Sequence, residues 1–124
     1  LRGIKTKSRS SCKIYDYQKI CNIALKPSTT YSNKQVFDML FMEWDNTARY
    51  KERATIYQGC TPEVFEKNFE QLVRNASGKP EKSRYVFINA WNEWAEGTYL
   101  EPDTDRKYAY LEAIQRVLKN SDKT

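Results

Sequence analysis

Residues 84–91 read RYVFINAW and residues 92–102 read NEWAEGTYLEP, and together they decide the fold class. The first segment has a nearly continuous apolar centre, which is typical of a strand buried on both faces of a sheet. The second segment places two carboxylates, Glu93 and Glu96, three positions apart beside tryptophans. In parallel α/β sheets the functional loops follow the carboxyl ends of the strands. The stretch therefore predicts an α/β protein with its site at such an edge.

The remaining elements are predicted outward from this strand. Apolar residues at helical spacing indicate a helix from about Tyr15 to Leu25, with Asp16 available as its N-cap. Residues 36–44 are apolar and aromatic, and they predict a second strand. Thr61 and the following proline, with acidic residues in the first turn, predict a helix that extends to about Asn75.

A last helix is predicted after Asp103 or Asp105, either of which can cap it. Its expected apolar stripe consists of Tyr108, Leu111, Ile114, Val117 and Leu118. The order helix, strand, helix, strand, helix is that of parallel strands alternating with helices. Residues 1–14 are expected to form a basic amino-terminal segment, and residues 15–124 a single domain.

Composition excludes several classes of function. The chain has no histidine, so Ser-His-Asp and Cys-His nucleophiles are absent, and acid–base chemistry is left to Asp, Glu, Tyr and Lys. Its three cysteines show no Cys-x-x-Cys spacing, which favours reduced thiols in the cytoplasm over a disulfide framework or a zinc ribbon. Five of the 21 basic residues precede Asp16, and the remaining charges balance, so no nucleic-acid-binding face is expected. No apolar run reaches the roughly 18 residues of a membrane span.

Glu93 and Glu96 form the first candidate constellation. If their loop takes one helical turn, both carboxylates face the same way and can meet one substrate. Trp91 and Trp94 offer faces for stacking a sugar, and their apolar surroundings would keep one of the acids protonated. A carboxylate pair walled by aromatic rings is suited to making or breaking a glycosidic bond. The alternative is that both acids are solvated while the tryptophans fill the core.

The same loop contains further candidate groups. Gly97 suits a backbone that needs a positive φ, and the hydroxyls of Thr98 and Tyr99 could donate hydrogen bonds to a substrate.

The second constellation is Trp44, Asp45, Asn46 and Arg49, which end the earlier strand. Carboxylate, amide and guanidinium groups hydrogen-bond vicinal hydroxyls, and an indole stacks on a pyranose. The alternative is an Asx-turn with an ion pair between Asp45 and Arg49. A third pattern, residues 103–105, has the Asp-x-Asp form of some metal-dependent glycosyltransferases, but acids before a helix are more often caps.

These motifs resemble the carboxyl-terminal part of the WbsX-like glycosyltransferase family. The resemblance is carried by residues 44–49, 87–97, 100–102 and 108–113 and covers most of the chain from about Tyr15. It implies a role in bacterial O-antigen, lipopolysaccharide or other surface polysaccharide synthesis. It also implies that the substrate contacts Trp44, Asp45, Asn46, Arg49, Trp91, Asn92, Trp94, Tyr99 and Glu101.

That family resembles in turn glycoside hydrolase family 99, retaining endo-α-mannosidases with a (β/α)8 TIM-type barrel. Carried over by position, Glu93 would be the base toward the sugar 2-hydroxyl, which attacks the anomeric carbon to give an anhydro-sugar. Glu96 would protonate the departing oxygen and then activate the acceptor. This route implies no metal and no cofactor. A carboxylate acting directly as nucleophile is the mechanistic alternative.

The chain is shorter than such a barrel, which takes about 250 residues. It resembles the final third of the family's domain, so the rest of the barrel, or self-association, is expected to complete the sheet. By themselves these residues are expected to be poorly soluble, oligomeric or inactive. The competing function is a non-catalytic carbohydrate-binding domain or remnant, and the reading frame upstream of Leu1 would discriminate between the two.

Overall fold

The structure is an α/β arrangement in which short strands alternate with helices. It is a computed structural model that describes residues 12–26 and 35–121. In chain order its strands and α-helices are β1 (Lys13–Asp16), α1 (Tyr17–Ala24), β2 (Asp38–Phe41), β3 (Trp44–Asp45), α2 (Thr47–Tyr50), β4 (Thr55–Gln58), α3 (Pro62–Ser77), β5 (Val86–Asn89), β6 (Asn92–Glu93), β7 (Thr98–Tyr99) and α4 (Ala109–Ser121). Three-residue 3-10 turns lie at Lys51–Arg53, Glu81–Ser83 and Trp94–Glu96.

Two parallel strand pairs form the framework. β1 pairs with β4, and β2 pairs with β5 with Leu40 opposite Ile88. The short β3 adds an antiparallel edge to β4, and β6 with β7 forms a separate hairpin. The predicted parallel strands with helices between them are therefore confirmed. In each parallel pair, however, other strands intervene along the chain, and the described residues do not close into a barrel.

The core lies between the helices and one face of the strands. Phe65, Phe69 and Leu72 on α3 are almost completely buried and pack with Leu40 of β2. The ring of Phe65 stacks on that of Phe69 and meets Tyr110 of α4 edge-on at 5.3 Å. α3 therefore joins the β2–β5 pair on one side to α4 on the other.

Side chains at the helix starts fix where α1 and α3 begin. The carboxylate of Asp16 accepts a hydrogen bond of 2.8 Å from the amide of Lys19, as predicted for an N-cap. The backbone of Asp16 is extended, so the residues before it continue as β1 and the helix starts at Tyr17 rather than Tyr15. Thr61 caps α3 through the amide of Val64, also as predicted.

Three strand predictions need correction. Residues 36–44 do not form one strand, because β2 ends at Phe41 and the chain turns before β3. β1 and β4 were not predicted, since four-residue strands are too short to show a clear alternation. β5 is not buried on both faces: Phe87 is 53% exposed and lies beside Met39, which is 55% exposed.

The last helix is also corrected. α4 begins at Ala109, and the cap at Asp103 belongs to a preceding turn, where its carboxylate accepts from the amides of Asp105 and Arg106. The buried face of α4 is formed by Tyr110, Ala113 and Val117, whereas Tyr108 and Leu118 of the predicted stripe are exposed. The ring of Tyr110, which packs against α3, determines which face of α4 is buried.

The predicted domain boundary after residue 14 falls inside β1, and residues 1–11 of the basic segment lie outside the described residues. Within the described ranges, no helix is long and apolar enough to cross a membrane.

Leu72→Ala tests the core. Leu72 is fully buried, so the change removes apolar contacts and leaves a cavity. We expect the free energy of unfolding to fall by about 2–5 kcal/mol, measured by urea denaturation. Lys67→Ala, an exposed position on the same helix, is the control and should change it by less than ~0.5 kcal/mol. Equal effects of the two changes would contradict the assignment of Leu72 to the core.

Phe87→Lys tests the uncovered sheet face. Phe37, Met39, Tyr85 and Phe87 form an exposed apolar cluster, and the ring of Phe37 lies 5.5 Å from that of Phe87. Exposed clusters beside open strand edges promote association. We expect the 124-residue chain to self-associate in sedimentation equilibrium and Phe87→Lys to lower its average mass.

The control for this experiment is Leu118→Lys on α4, which also replaces an exposed apolar residue but lies outside the cluster. It should leave the average mass unchanged. A monodisperse, cooperatively melting monomer of the unsubstituted chain would contradict the prediction.

Candidate functional site

The loops that follow β2 and β5 meet at one edge of the framework. Because the two strands are parallel and in register, their carboxyl ends lie side by side. The 3-10 turn 94–96 contacts both β3 and α2 of the earlier loop. Gly97, which follows this turn, lies next to the earlier loop, since a Cβ at this position would be in ordinary contact with the backbone nitrogen of Asp45, at 3.8 Å. The two sequence constellations are therefore brought together.

The loop after β5 is held in shape by its own backbone. The carbonyl of Trp91 accepts hydrogen bonds from the amides of Leu100 and Glu101, at 3.0 and 2.9 Å. Gly97 has φ +66°, as predicted for a position that needs a positive φ. β6 and β7 pair on either side of the 3-10 turn 94–96, so this turn is the tip of a hairpin. Glu96 lies in the turn, whereas Glu93, which was expected in the same helical turn, lies just before it in β6.

Glu93 and Glu96 converge on one guanidinium. Nη2 of Arg49 lies 3.3 Å from Oε1 of Glu93, and Nη1 lies 3.5 Å from Oε1 of Glu96. The exposed fractions of the side chains are 53% for Arg49, 36% for Glu93 and 12% for Glu96. Both carboxylates therefore face the same small volume, and Glu96 is the more enclosed of the two.

Asp45 and Arg49 do not form the ion pair that the alternative interpretation of this motif expected. Arg49 pairs with the two glutamates, whereas the carboxylate of Asp45 accepts a hydrogen bond of 2.9 Å from the amide of Thr47. The Asx-turn of that interpretation is present, since the bond joins residues two apart. Asp45 thus starts α2, the short helix that carries Arg49.

Trp94 is fixed in a direction away from the guanidinium. Its ring stacks on that of Tyr99 with centroids 3.8 Å apart and an angle of 19° between the planes. Its Nε1 donates to Oε2 of Glu101 at 2.7 Å. Trp94 is nevertheless 48% exposed, although Tyr99 covers one face of its ring.

The position of the Tyr99 side chain is fixed by a hydrogen bond to Asp103. The phenol donates a hydrogen bond of 2.8 Å to Oδ2 of Asp103. Burial, followed by this hydrogen bond, raises the pKa of Tyr99 above its ordinary value. Hydrogen bonds from the amide of Arg106 and from the Tyr99 hydroxyl lower the pKa of Asp103. At neutral pH the Tyr99 hydroxyl therefore keeps its proton and donates the hydrogen bond, and the ionised carboxylate of Asp103 accepts it.

Glu43 and Arg106 form a supporting ion pair that the sequence interpretation did not assign. Oε1 of Glu43 lies 2.6 Å from Nη2 of Arg106, and the guanidinium carbon of Arg106 lies 5.6 Å from the centroid of the Tyr110 ring. The pair ties the end of β2 to the turn that contains Asp103. The only signal for it in the sequence is that Glu43 is a charged residue near the end of the otherwise apolar segment 36–44.

Asn46 has a structural contact rather than an open amide. Its side chain is buried, and its Oδ1 accepts a hydrogen bond of 2.8 Å from the amide of Thr55 at the start of β4. Trp44 is half-buried opposite Tyr57 in the β3–β4 pair. Of the earlier constellation, Arg49 is therefore the residue recorded in contact with the glutamates.

The other predicted residues of the later loop take different positions. Trp91 is 53% exposed and Asn92 is exposed beside Tyr99 in the hairpin register. Thr98, which was considered as a hydrogen-bond donor to substrate, is fully buried and donates to the carbonyl of Asn89 at 2.6 Å. Thr98 thus fastens the hairpin to the end of β5.

Residues 12–26 and 35–121 contain no group of three or more Cys, Asp or Glu side chains placed to hold a metal ion. An open groove of about 720 Å³ lies between α3 and α4, and its lining includes Glu66, Lys67, Val73 and Val117 but none of the candidate site residues. That groove is unrelated to the carboxylate pair, whose position is defined by the Arg49 contacts.

Comparisons with known proteins match most of the chain. The family described as Glycosyltransferase WbsX matches residues 2–114. Proteins described as Uncharacterized protein WxcX, from two strains of Xanthomonas campestris pv. campestris, are 41% identical over 76 residues. The matched stretch is 60% of this chain and 11% of each relative, so the chain spans a small part of their length. No solved structure matches the chain.

Asn46→Ala tests whether Asn46 is structural. The change leaves the partly buried amide of Thr55 without its side-chain acceptor, so we expect the free energy of unfolding to fall by about 1 kcal/mol in urea denaturation. Asn92→Ala, an exposed amide on the neighbouring loop, is the control and should have an effect below ~0.5 kcal/mol. Unchanged stability of Asn46→Ala would return Asn46 to the set of free substrate-binding groups.

Proposed function

The chain belongs to the glycosyltransferase WbsX family, and from this membership we propose that it acts on glycosidic bonds during the synthesis of bacterial surface polysaccharide, such as the O-antigen of lipopolysaccharide. Glu93 and Glu96 are the acid–base pair of this proposal. The proposed substrate is a carbohydrate, either an oligosaccharide or a sugar donor, and no metal or cofactor takes part in the proposed steps.

The observation that carries the proposal is the convergence of both carboxylates on Arg49. The paired carboxyl groups of glycosidases lie ~5–9.5 Å apart. Two carboxylates that contact the two terminal nitrogens of one guanidinium can lie at a distance in this range. They lie in the loop after β5, at the strand end where α/β enzymes carry their catalytic groups.

In the proposed reaction the two acids have separate tasks. Glu93 takes the proton of the sugar 2-hydroxyl while that oxygen forms a bond to the anomeric carbon. The glycosidic bond breaks, its electron pair stays on the departing oxygen, and Glu96 gives that oxygen a proton. Glu96 then removes a proton from the acceptor as it opens the anhydro-sugar, and the 2-hydroxyl recovers its proton from Glu93. Direct attack by one carboxylate is the alternative route.

Arg49 has donors left for substrate. A guanidinium carries five N–H groups, and the two recorded contacts with the glutamates use one on each terminal nitrogen. Because its side chain is half exposed, the remaining donors can meet sugar hydroxyls without breaking both ion pairs. Trp44, Asp45, Trp91, Asn92, Trp94, Tyr99 and Glu101 are the further proposed substrate contacts.

A complete site requires more of the sheet than the described residues contain. The strands β2 and β5 pair only with each other among those residues, and their face at Met39 and Phe87 is exposed. We propose that further strands of a (β/α)8 barrel cover this face. The relatives support this proposal, because the stretch that matches this chain is 11% of their length and the rest of their length could supply the further strands. The cytoplasm is the proposed location, since Cys12, Cys21 and Cys60 are free thiols, which suit a reducing compartment.

The second candidate is a carbohydrate-binding domain without catalysis. It is favoured by the exposed indoles of Trp91 and Trp94, which bind sugar whether or not chemistry follows. The two candidates differ in turnover and not in binding. Sequencing the reading frame upstream of Leu1 also separates them, because a preceding barrel portion favours the enzyme.

Glu96→Gln tests the enzymatic proposal. The amide keeps the shape of the side chain but cannot donate or accept the proton, so we expect turnover to fall by at least about 10²–10⁴-fold with little loss of binding. The assay uses the protein together with any upstream barrel portion that its reading frame encodes. An oligosaccharide donor and a nucleotide-sugar donor are supplied in separate reactions. Products are then identified by mass spectrometry.

Glu81→Gln, an exposed change in another 3-10 turn, is the control and should keep the full rate. Transfer to a sugar hydroxyl identifies a transferase, and transfer to water a hydrolase. Turnover by Glu96→Gln at the unsubstituted rate would remove Glu96 from the mechanism. Sugar binding with no turnover of either donor by the unsubstituted protein would favour the non-catalytic domain.

A further inference from the structure

The hairpin tip presents two different surfaces on two sides. Glu93 ends β6, and Trp94 and Glu96 begin and end the 3-10 turn that follows it. Glu93 and Glu96 are three apart and both meet Arg49, whereas Trp94 is directed to Glu101 and Tyr99. The indole therefore lies beside the carboxylate pair and does not share its volume.

The indole of Trp94 is held rigidly although it is half exposed. One of its faces is covered by Tyr99 at 3.8 Å, and its ring nitrogen is bonded to Glu101. Tyr99 is in turn bonded to Asp103, whose turn is tied to β2 through the ion pair of Arg106 with Glu43. A tryptophan that served only to fill the core would be buried, but Trp94 is 48% exposed.

A sugar matches the surface around Trp94 better than a purely apolar ligand does. The outer face of the indole offers an apolar plane, and Glu101 at its edge offers acceptor sites beyond the one that Trp94 uses. A pyranose has the matching surfaces, a face of C–H groups and a rim of hydroxyls. Because the three carboxylates of Glu93, Glu96 and Glu101 outnumber the one cation that contacts two of them, Arg49, an uncharged sugar is favoured over an acidic one.

We propose that the outer face of Trp94, backed by Tyr99 and edged by Glu101, is a separate sugar subsite next to the Glu93–Glu96 pair, so that the ligand is an uncharged oligosaccharide of two or more pyranose units. This inference rests on the proposed function in one respect, that the ligand is a carbohydrate. One sugar ring has its anomeric carbon at the carboxylates, and the neighbouring ring stacks on Trp94. The rigid support of the indole means that little side-chain freedom is lost on binding.

The test measures binding in the Glu96→Gln protein, so that turnover does not interfere. Titration calorimetry uses mannose, glucose and their linear disaccharides and trisaccharides as probes. We expect at least one disaccharide to bind about tenfold or more tightly than its monosaccharide, which corresponds to about 1.4 kcal/mol. Trp94→Ala should remove this gain and leave the monosaccharide affinity unchanged. Trp94→Phe, which retains an aromatic face, should restore part of it.

Tyr108→Ala is the matched control, because Tyr108 is an exposed aromatic residue outside the subsite. It should keep the gain, and circular dichroism should show that every variant is folded. Equal losses for monosaccharide and disaccharide in Trp94→Ala would place the indole in the same subsite as the carboxylates and overturn the inference. Binding of none of the probes, or an unchanged gain in Trp94→Ala, would also overturn it.

The outcome is separable from that of the proposed function. If Trp94→Ala loses the disaccharide gain while Glu96→Gln keeps full turnover, the subsite stands and the proposed chemistry fails. If Glu96→Gln loses turnover while Trp94→Ala retains the gain, the chemistry stands and the subsite is overturned.

Discussion

The parallel pairing of β2 with β5 is the constraint on which the candidate site depends. Residues 38–41 lie in register with residues 86–89, so both strands end at the same edge. The chain between them includes α3, which packs on both strands and lets the second return in the same direction. Antiparallel strands would send the two loops to opposite ends. Arg49 could not then reach the glutamates, which are 44 and more positions away in sequence.

The parts of the fold that were predictable are those with a local physical cause. Asp16 and Thr61 form the expected caps because each satisfies an amide within three residues. Gly97 has the expected positive φ because its turn must reverse at once into β7. β1 and β4 were missed because four residues carry too little pattern, and their pairing with each other supplies the stability. The exposed face of β5 could not be foreseen, since a run of apolar residues does not show what covers it.

The same distinction applies to the site. The loop around Glu93 and Glu96 was identifiable because acids and indoles stand close together in the sequence. Its partners were not, because the Arg49 contacts and the Glu43–Arg106 pair join residues far apart along the chain. Asn46 shows a different limit. An amide in a polar motif suggests ligand binding, but the sequence does not show that the backbone N–H of Thr55, at the start of β4, uses the side-chain oxygen of Asn46.

Gly97 shows how closely the chemistry of this loop depends on backbone geometry. A Cβ at this position would meet the Asp45 nitrogen at 3.8 Å, an ordinary contact, so space does not require glycine. The requirement comes from φ +66°, which costs other residues roughly 1–2 kcal/mol. If that φ relaxed, β7 would leave the turn in another direction, carrying Tyr99 away from Trp94 and breaking the pairing that holds Glu93 opposite Thr98. One backbone angle thus supports both the short strand that carries Glu93 and the stacked indole.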